Sequence, residues 1–152
     1  MATLEAIWIK TAKRGPMESR DAAELVAGEG IVGNADFRCR RQVTLLGRER
    51  WSEAEAELGA RVDPAARRAN LLLAGLDLRQ SAGRLLRVGA ATIRLLGETR
   101  PCPRMDEAHP GLQEALRPDW RGGAWGEIVA GGRIAVGDTA AWIDEPPAGA
   151  SR

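Results

Sequence analysis

Short apolar runs punctuated by glycine dominate the chain, and most of them have the period of strands. Thr3 to Ile9 alternates, with Leu4, Ala6 and Trp8 on one face and Ile7 and Ile9 on the other. Gln42-Val43-Thr44-Leu45-Leu46 is short and partly β-branched, so it reads as a strand, and Leu71-Leu72-Leu73 reads as a buried one. Leu85 to Val88 and Ala91 to Leu96 form a hairpin around Gly89-Ala90. Trp125 to Val129, Arg133 to Val136 and Thr139 to Ile143 follow, separated by Ala130-Gly131-Gly132 and Gly137-Asp138, both suited to positive φ. Gly28 to Asn34 is a glycine-rich turn region.

Three stretches are helical instead. Arg48 to Leu58 places Trp51, Ala54 and Leu58 on one face and glutamates on the other, with Gly59 as the stop. Asp63-Pro64 is an N-cap followed by proline at the first helical position, and Gly111 to Leu116 is a short helix ended by Pro118. Seven or eight short strands with two or three short helices predict a mainly β fold with short helices (α+β), a closed or nearly closed barrel. A doubly wound sheet would need a helix between most strands, and too few exist. The barrel domain is expected over residues 1–143, with residues 144–152 as a fraying tail that lacks large apolar side chains.

Composition narrows the function. One domain fits 152 residues, and a net charge of +1 argues against a whole-protein nucleic-acid or membrane field. The positive charge is almost all arginine, since Lys10 and Lys13 are the only lysines, which suits planar, bidentate anion contacts. The start, MATLEAIWIK, has no long apolar core, so a cytoplasmic protein with free thiols at Cys39 and Cys102 is expected. Leu71 to Leu76 is far short of a membrane span, and one histidine with two distant cysteines offers no zinc pattern. The Gly28/Gly30/Gly33 cluster precedes no helix, so a dinucleotide fingerprint fails; neither a Gly-x-Ser-x-Gly elbow nor a Gly-Lys-Ser/Thr phosphate loop occurs.

The stretch with most chemistry is Glu98-Thr99-Arg100-Pro101-Cys102-Pro103-Arg104-Met105-Asp106. Cysteine between two prolines belongs in a loop, because neither neighbour can join a ladder or a helix interior. Arg100 and Arg104, if near the sulfur, favour the thiolate that attacks electrophiles or binds soft metals. The competing reading is an inert, half-buried loop cysteine. Cys39, between Arg38 and Arg40, lacks the prolines, and there the inert reading is preferred. Arg40-Arg41, Arg67-Arg68 ahead of Asn70, and Arg121-Gly122-Gly123 stand at strand mouths, where guanidinium groups and glycine N–H groups could cradle an oxyanion. The competing reading is a solvated rim. Arg121 to Trp125 also resembles a fragment of a single-strand nucleic-acid binder, though in one copy. His109, beside Pro110, reads as a loop residue.

Taken in order, these segments resemble the MOSC domain, found at the C-terminus of molybdenum-cofactor sulfurases and in small bacterial proteins. The matching stretches are Gly30-Ile31-Val32-Gly33-Asn34, RQVTLL (41–46), ARRANLLLAGLDL (66–78), GRLLRVGAATI (83–93), RPCPRMDEAHPGL (100–112) and WRGGAWGEIVAGGRIAVGD (120–138). The resemblance implies a barrel and a role around the molybdenum cofactor, in sulfur transfer or in reduction of N-hydroxylated substrates. It makes Cys102 the sulfur carrier or metal ligand, and Arg41, Arg68, Asn70 and Arg121 the polar lining of a cofactor pocket; Arg100, beside the thiol, joins them. A separate redox or sulfur-donor protein is implied as partner, and the family also carries an association with pyridoxal phosphate. Many relatives place Asp-Arg-His after the glycine turn, where this chain has Asn34-Ala35-Asp36, so no role of that histidine carries over, although Asp36 is a candidate to replace part of it. A non-catalytic carrier of the cofactor or of a small anion is the alternative, ahead of a single-strand nucleic-acid binder.

Overall fold

The computed structural model describes residues 2–145. Its strands are β1 (Ala2–Ile9), β2 (Glu18–Arg20), β3 (Ala22–Val26), β4 (Gly30–Ile31), β5 (Val43–Gly47), β6 (Leu71–Ala74), β7 (Leu85–Val88), β8 (Ala91–Glu98), β9 (Ala124–Ala130), β10 (Gly132–Ala135) and β11 (Thr139–Ile143). Helices α1 (Arg48–Leu58), α2 (Met105–Ala108) and α3 (Leu112–Ala115) join them, with 3-10 turns at Pro64–Arg67 and Pro118–Trp120. Seven strands close into a barrel in the order β1-β11-β7-β8-β9-β5-β6 and back to β1, and β2 is added beside β1. The fold is therefore the mainly β barrel with short helices that the strand and turn pattern predicts. Only β5 and β6 pair in parallel within it. Parallel neighbours need a long crossover, and the segment holding α1 and the first 3-10 turn supplies it.

Local sequence explains the helix ends. Gly59 takes φ 67° and donates its N–H to the carbonyls of Ala56 and Glu55, so α1 ends where a left-handed residue is cheapest. The Asp63 carboxylate accepts the Ala65 N–H at 2.9 Å ahead of Pro64. Packing then divides the apolar residues between two clusters. Leu45, Leu71 and Leu73 point into the barrel, while Leu46, Leu72 and Trp8 point outward, where α1, α2 and α3 cover them. This double coverage is why β1, β5 and β6 carry so few polar residues. Trp51 lies fully buried in the outer cluster and donates its indole N–H to the Val62 carbonyl at 2.8 Å.

The structure departs from simple alternation at three places. In β1, Leu4 opposes Leu73 and Ala6 opposes Leu72, so Glu5 is an extra residue in a bulge. The bulge shifts the phase: Leu4 joins Ile7 and Ile9 inside the barrel, and only Ala6 and Trp8 share the outer face. β10 does not fold back on β9 or β11; it leaves the barrel to pair with β3, and β4 completes that three-stranded sheet. The glycine-rich region therefore contains a short strand, since Gly30 and Ile31 pair with Val26 and Leu25. Of the expected tail, Asp144 and Glu145 form a bend and residues 146–152 lie outside the described residues. No helix among the described residues is long and apolar enough to cross a membrane.

A surface clasp ties α1 to the turn after β6. Arg50 donates to both carboxylate oxygens of Asp77, at 2.7 and 3.3 Å, and stands 3.8 Å from Asp119. The Arg50 hydrogen bond holds the Asp77 carboxyl below the usual carboxylate range, against a smaller opposing effect of burial. Stability from a lowered carboxyl pKa is present above its unfolded value and lost as pH falls through the folded one. Asp77→Asn is thus expected to lower stability by no more than about 1 kcal/mol at neutral pH, because the pair is partly exposed. Urea unfolding of both proteins at pH 7 and at about pH 3 checks this: the gap should close in acid, and a gap that widens there contradicts it.

Candidate functional site

The loop after β8 carries Cys102 with its side chain exposed and its thiol free. The prolines on either side keep this segment out of regular structure, and α2 then anchors it. Met105 is 3% exposed in the outer cluster, and its N–H donates to the Cys102 carbonyl at 3.0 Å. Thr99 fixes the other end. Its N–H donates to the Gly123 carbonyl at 3.0 Å, and its hydroxyl donates to the Gly122 carbonyl at 2.9 Å.

Arg67, at the end of the first 3-10 turn, crosses to the same loop. Its Nε donates to Gly122 O at 2.8 Å, and its Nη2 donates to Thr99 O at 2.9 Å and to Arg100 O at 3.4 Å. Its Nη1 rests 3.9 Å from the Met105 sulfur. Burial pushes the Arg67 guanidinium below its ordinary pKa, with Cys102 opposing that shift and Arg41 adding to it. The guanidinium, the thiol and Arg41 therefore share one electrostatic environment. Gly122 is required by this packing, since a Cβ there would stand 2.6 Å from Thr99 O, and at Gly123 (φ +100°) a Cβ would collide with the Leu45 carbonyl.

Beside the loop lies a cavity of about 320 Å³. Five of the six residues assigned to the site on the family resemblance line it: Arg41, Arg68, Asn70, Arg100 and Cys102. They are not equivalent. Arg68 takes a left-handed backbone (φ 64°) and donates Nη2 to Gly15 O at 2.6 Å, fastening the loop after β1. Asn70 is 5% exposed; its Oδ1 accepts the Thr44 N–H at 3.0 Å and hydroxyl at 3.1 Å, and its Nδ2 donates to Trp8 O at 3.1 Å. It chiefly staples β1, β5 and β6, with one amide N–H left over. Arg41 stands 5.2 Å from the Trp125 ring centroid, as does Arg40. The Arg100 side chain is 87% exposed, with its nearest carboxylate, Glu98, at 4.0 Å.

Arg121 does not belong to this lining. Its Nη1 donates to Ala115 O at 2.9 Å and meets Glu57 at 2.7 Å, so its charge is spent holding α3 to α1. The reading of Arg121-Gly122-Gly123 as a ligand cradle is corrected accordingly: Arg121 and Gly123 are buried away from the cavity, and Gly122, which does line it, has its carbonyl taken by Arg67 and Thr99. Trp125, also buried, lies against two guanidinium groups and presents no stacking surface. Lys10, Asp36, Thr44, Arg67, Thr99 and Arg104 complete the polar wall. The Arg67-Arg68 doublet was visible in the sequence, but nothing there separated the pin from the lining residue. Cys39 and His109 are absent from the wall. A larger hollow of about 790 Å³ runs beside the C-terminal half of α1, lined by residues such as Ser52, Glu55, Arg61 and Asp63, and has no thiol and no cluster of cations.

Solved structures sharing the fold include these three. The YuaD protein from Bacillus subtilis matches with a TM-score of 0.79 at 21% identity, covering 92% of this chain and 94% of that one. YiiM from Geobacillus stearothermophilus gives 0.73 at 17% identity, over 95% of this chain and 76% of its own, and YiiM from Escherichia coli gives 0.70 at 16%, over 95% and 71%. No curated protein matches the chain. The MOSC domain model matches residues 29–141, well over half the sequence and inclusive of the thiol loop and most of the cavity wall, and the chain belongs to the MOSC domain family.

Proposed function

We propose that the cavity binds a molybdopterin-type cofactor by its phosphate and presents Cys102 as metal ligand or sulfur carrier, for sulfur transfer or for reduction of N-hydroxylated substrates. The family is associated with molybdenum-cofactor binding and sulfur transfer. The donor set fits such a group. Of the cations on the wall, Arg67 and Arg68 are bound to backbone carbonyls and Lys10 to Asp36. Arg41, Arg100 and Arg104 keep donors for a phosphate, and a bidentate guanidinium suits one. Among the described residues no cluster of three His, Cys, Asp or Glu could hold a metal ion, so the protein's own share is the soft sulfur of Cys102. When bound, the cofactor supplies a redox-active metal carried on its own sulfur ligands. The volume sits at the low end of the roughly 300–1,000 Å³ usual for small-molecule sites, which leaves part of such a ligand in solvent, open to a substrate or a donor protein.

The observation that carries this reading is an exposed thiol on a cavity wall that also holds Arg41, Arg100 and Arg104, none of them hydrogen-bonded to backbone carbonyls as Arg67 and Arg68 are. Protein purified from molybdenum-replete cells is expected to release a fluorescent oxidised pterin on denaturation. Arg100→Ala combined with Arg104→Ala should cut that yield about tenfold or more, the effect of losing one or two charge-assisted hydrogen bonds. Wild-type protein that never yields pterin or labile sulfur contradicts the reading.

A further inference from the structure

The cavity wall contains one carboxylate among its cations, and its position is built rather than incidental. Ala35 donates its N–H to Lys10 O at 2.7 Å, and Lys10 donates its own N–H to the buried Asn34 Oδ1 at 3.1 Å. Cys39 donates its N–H to Asp36 O at 2.9 Å, so the turn carrying Asp36 is stitched to the end of β1. Lys10 Nζ then holds Asp36 Oδ2 at 3.1 Å, with the two side chains 21% and 30% exposed. One carboxylate oxygen is oriented by the lysine, and Oδ1 retains its lone pairs for something else in the cavity.

A carboxylate in a site for anions weakens anion binding by like-charge repulsion. Its presence makes sense if the ligand offers hydrogen-bond donors at that end. The 2-amino-4-oxopyrimidine edge of a pterin presents adjacent N3–H and 2-NH2 donors, spaced to meet one carboxylate. We propose that Asp36 reads this donor edge while Arg41, Arg100 and Arg104 take the anionic end, so that the site selects ligands carrying both features and rejects simple polyanions. The proposal rests on the cofactor reading above and assigns Asp36 its specificity. It also gives a chemical meaning to Asn34-Ala35-Asp36, the place where this chain departs from the Asp-Arg-His of many relatives.

Two fluorescent probes separate the possibilities: 6-carboxypterin, and 6-carboxylumazine, which differs by an oxygen in place of the 2-amino group. Full-length protein from cells unable to make molybdopterin is titrated with each. The wild type should bind the pterin at least about tenfold more tightly, the equivalent of one charge-assisted hydrogen bond. Asp36→Asn, with an unchanged melting temperature, should bring the ratio to within about twofold without weakening the lumazine. A ratio near one in the wild type, or an undiminished ratio in Asp36→Asn, overturns the assignment of Asp36 while leaving the cofactor reading in place. Failure of the wild type to bind either probe overturns both.

Discussion

Arg67→Met should lower the unfolding free energy by about 1–3 kcal/mol, the range expected when partly buried carbonyls lose a charged donor. The Thr99 and Arg100 carbonyls, in the segment leading into Cys102, would lose this donor, while Gly122 O would keep only the Thr99 hydroxyl. Methionine fills a similar volume, so the loss measures hydrogen bonds more than packing. Arg67→Lys should recover less than half of it, because one ammonium cannot serve carbonyls that a planar fork reaches together. Urea unfolding gives the stability. Iodoacetamide reaction rates report on the loop itself. With the carbonyls leading into it released, Cys102 should change its alkylation rate in Arg67→Met, while Cys39 keeps its rate. Unchanged stability, or equal changes at both cysteines, contradicts the role given to Arg67.

The second large effect concerns the thiol itself. Cys102→Ser should abolish thiol-dependent chemistry, lowering cyanide-labile sulfur to background and removing the protein's sulfur from any bound metal, because an alcohol is a poor ligand for a soft metal and cannot carry sulfur. Stability should change by less than about 0.5 kcal/mol, since the side chain is exposed. Cys39→Ser should retain both metal and labile sulfur, as Cys39 does not line the cavity. Metal and sulfur analysis of the two variants against wild type decides the matter, and retention of both by Cys102→Ser contradicts the assignment.

Much of the barrel was legible because its strands are apolar and its turns carry glycine. Helix α1 was legible to its last residue, since Trp51, Ala54 and Gly59 together leave little choice of period or end. What stayed hidden depends on partners far along the chain. β2 and β3 are short and mixed in polarity, and they exist because β1 and β10 offer them backbone groups. The bulge at Glu5 inverts the facing of Leu4, which no alternation rule anticipates. Around the cavity, proline spacing exposed Cys102 as a loop thiol, and the doublets Arg40-Arg41 and Arg67-Arg68 supply three of the lining arginines. The fate of each arginine could not be read locally: Arg121 is taken by Glu57 from α1, and Arg67 by carbonyls from two later segments. A guanidinium's role is set by which acceptors the fold brings within about 3 Å, and that is a property of topology.

Protection of Cys102 by bound cofactor is the most direct measurement of whether the thiol faces an occupied cavity. Cofactor-loaded and cofactor-free protein are alkylated with iodoacetamide, and peptide mapping reads each cysteine separately. Loading should slow the reaction of Cys102 at least about tenfold, as burial of an accessible sulfur requires, and leave Cys39 unaffected. Equal alkylation of Cys102 in both forms would place the thiol outside the ligand site and remove the basis for its role.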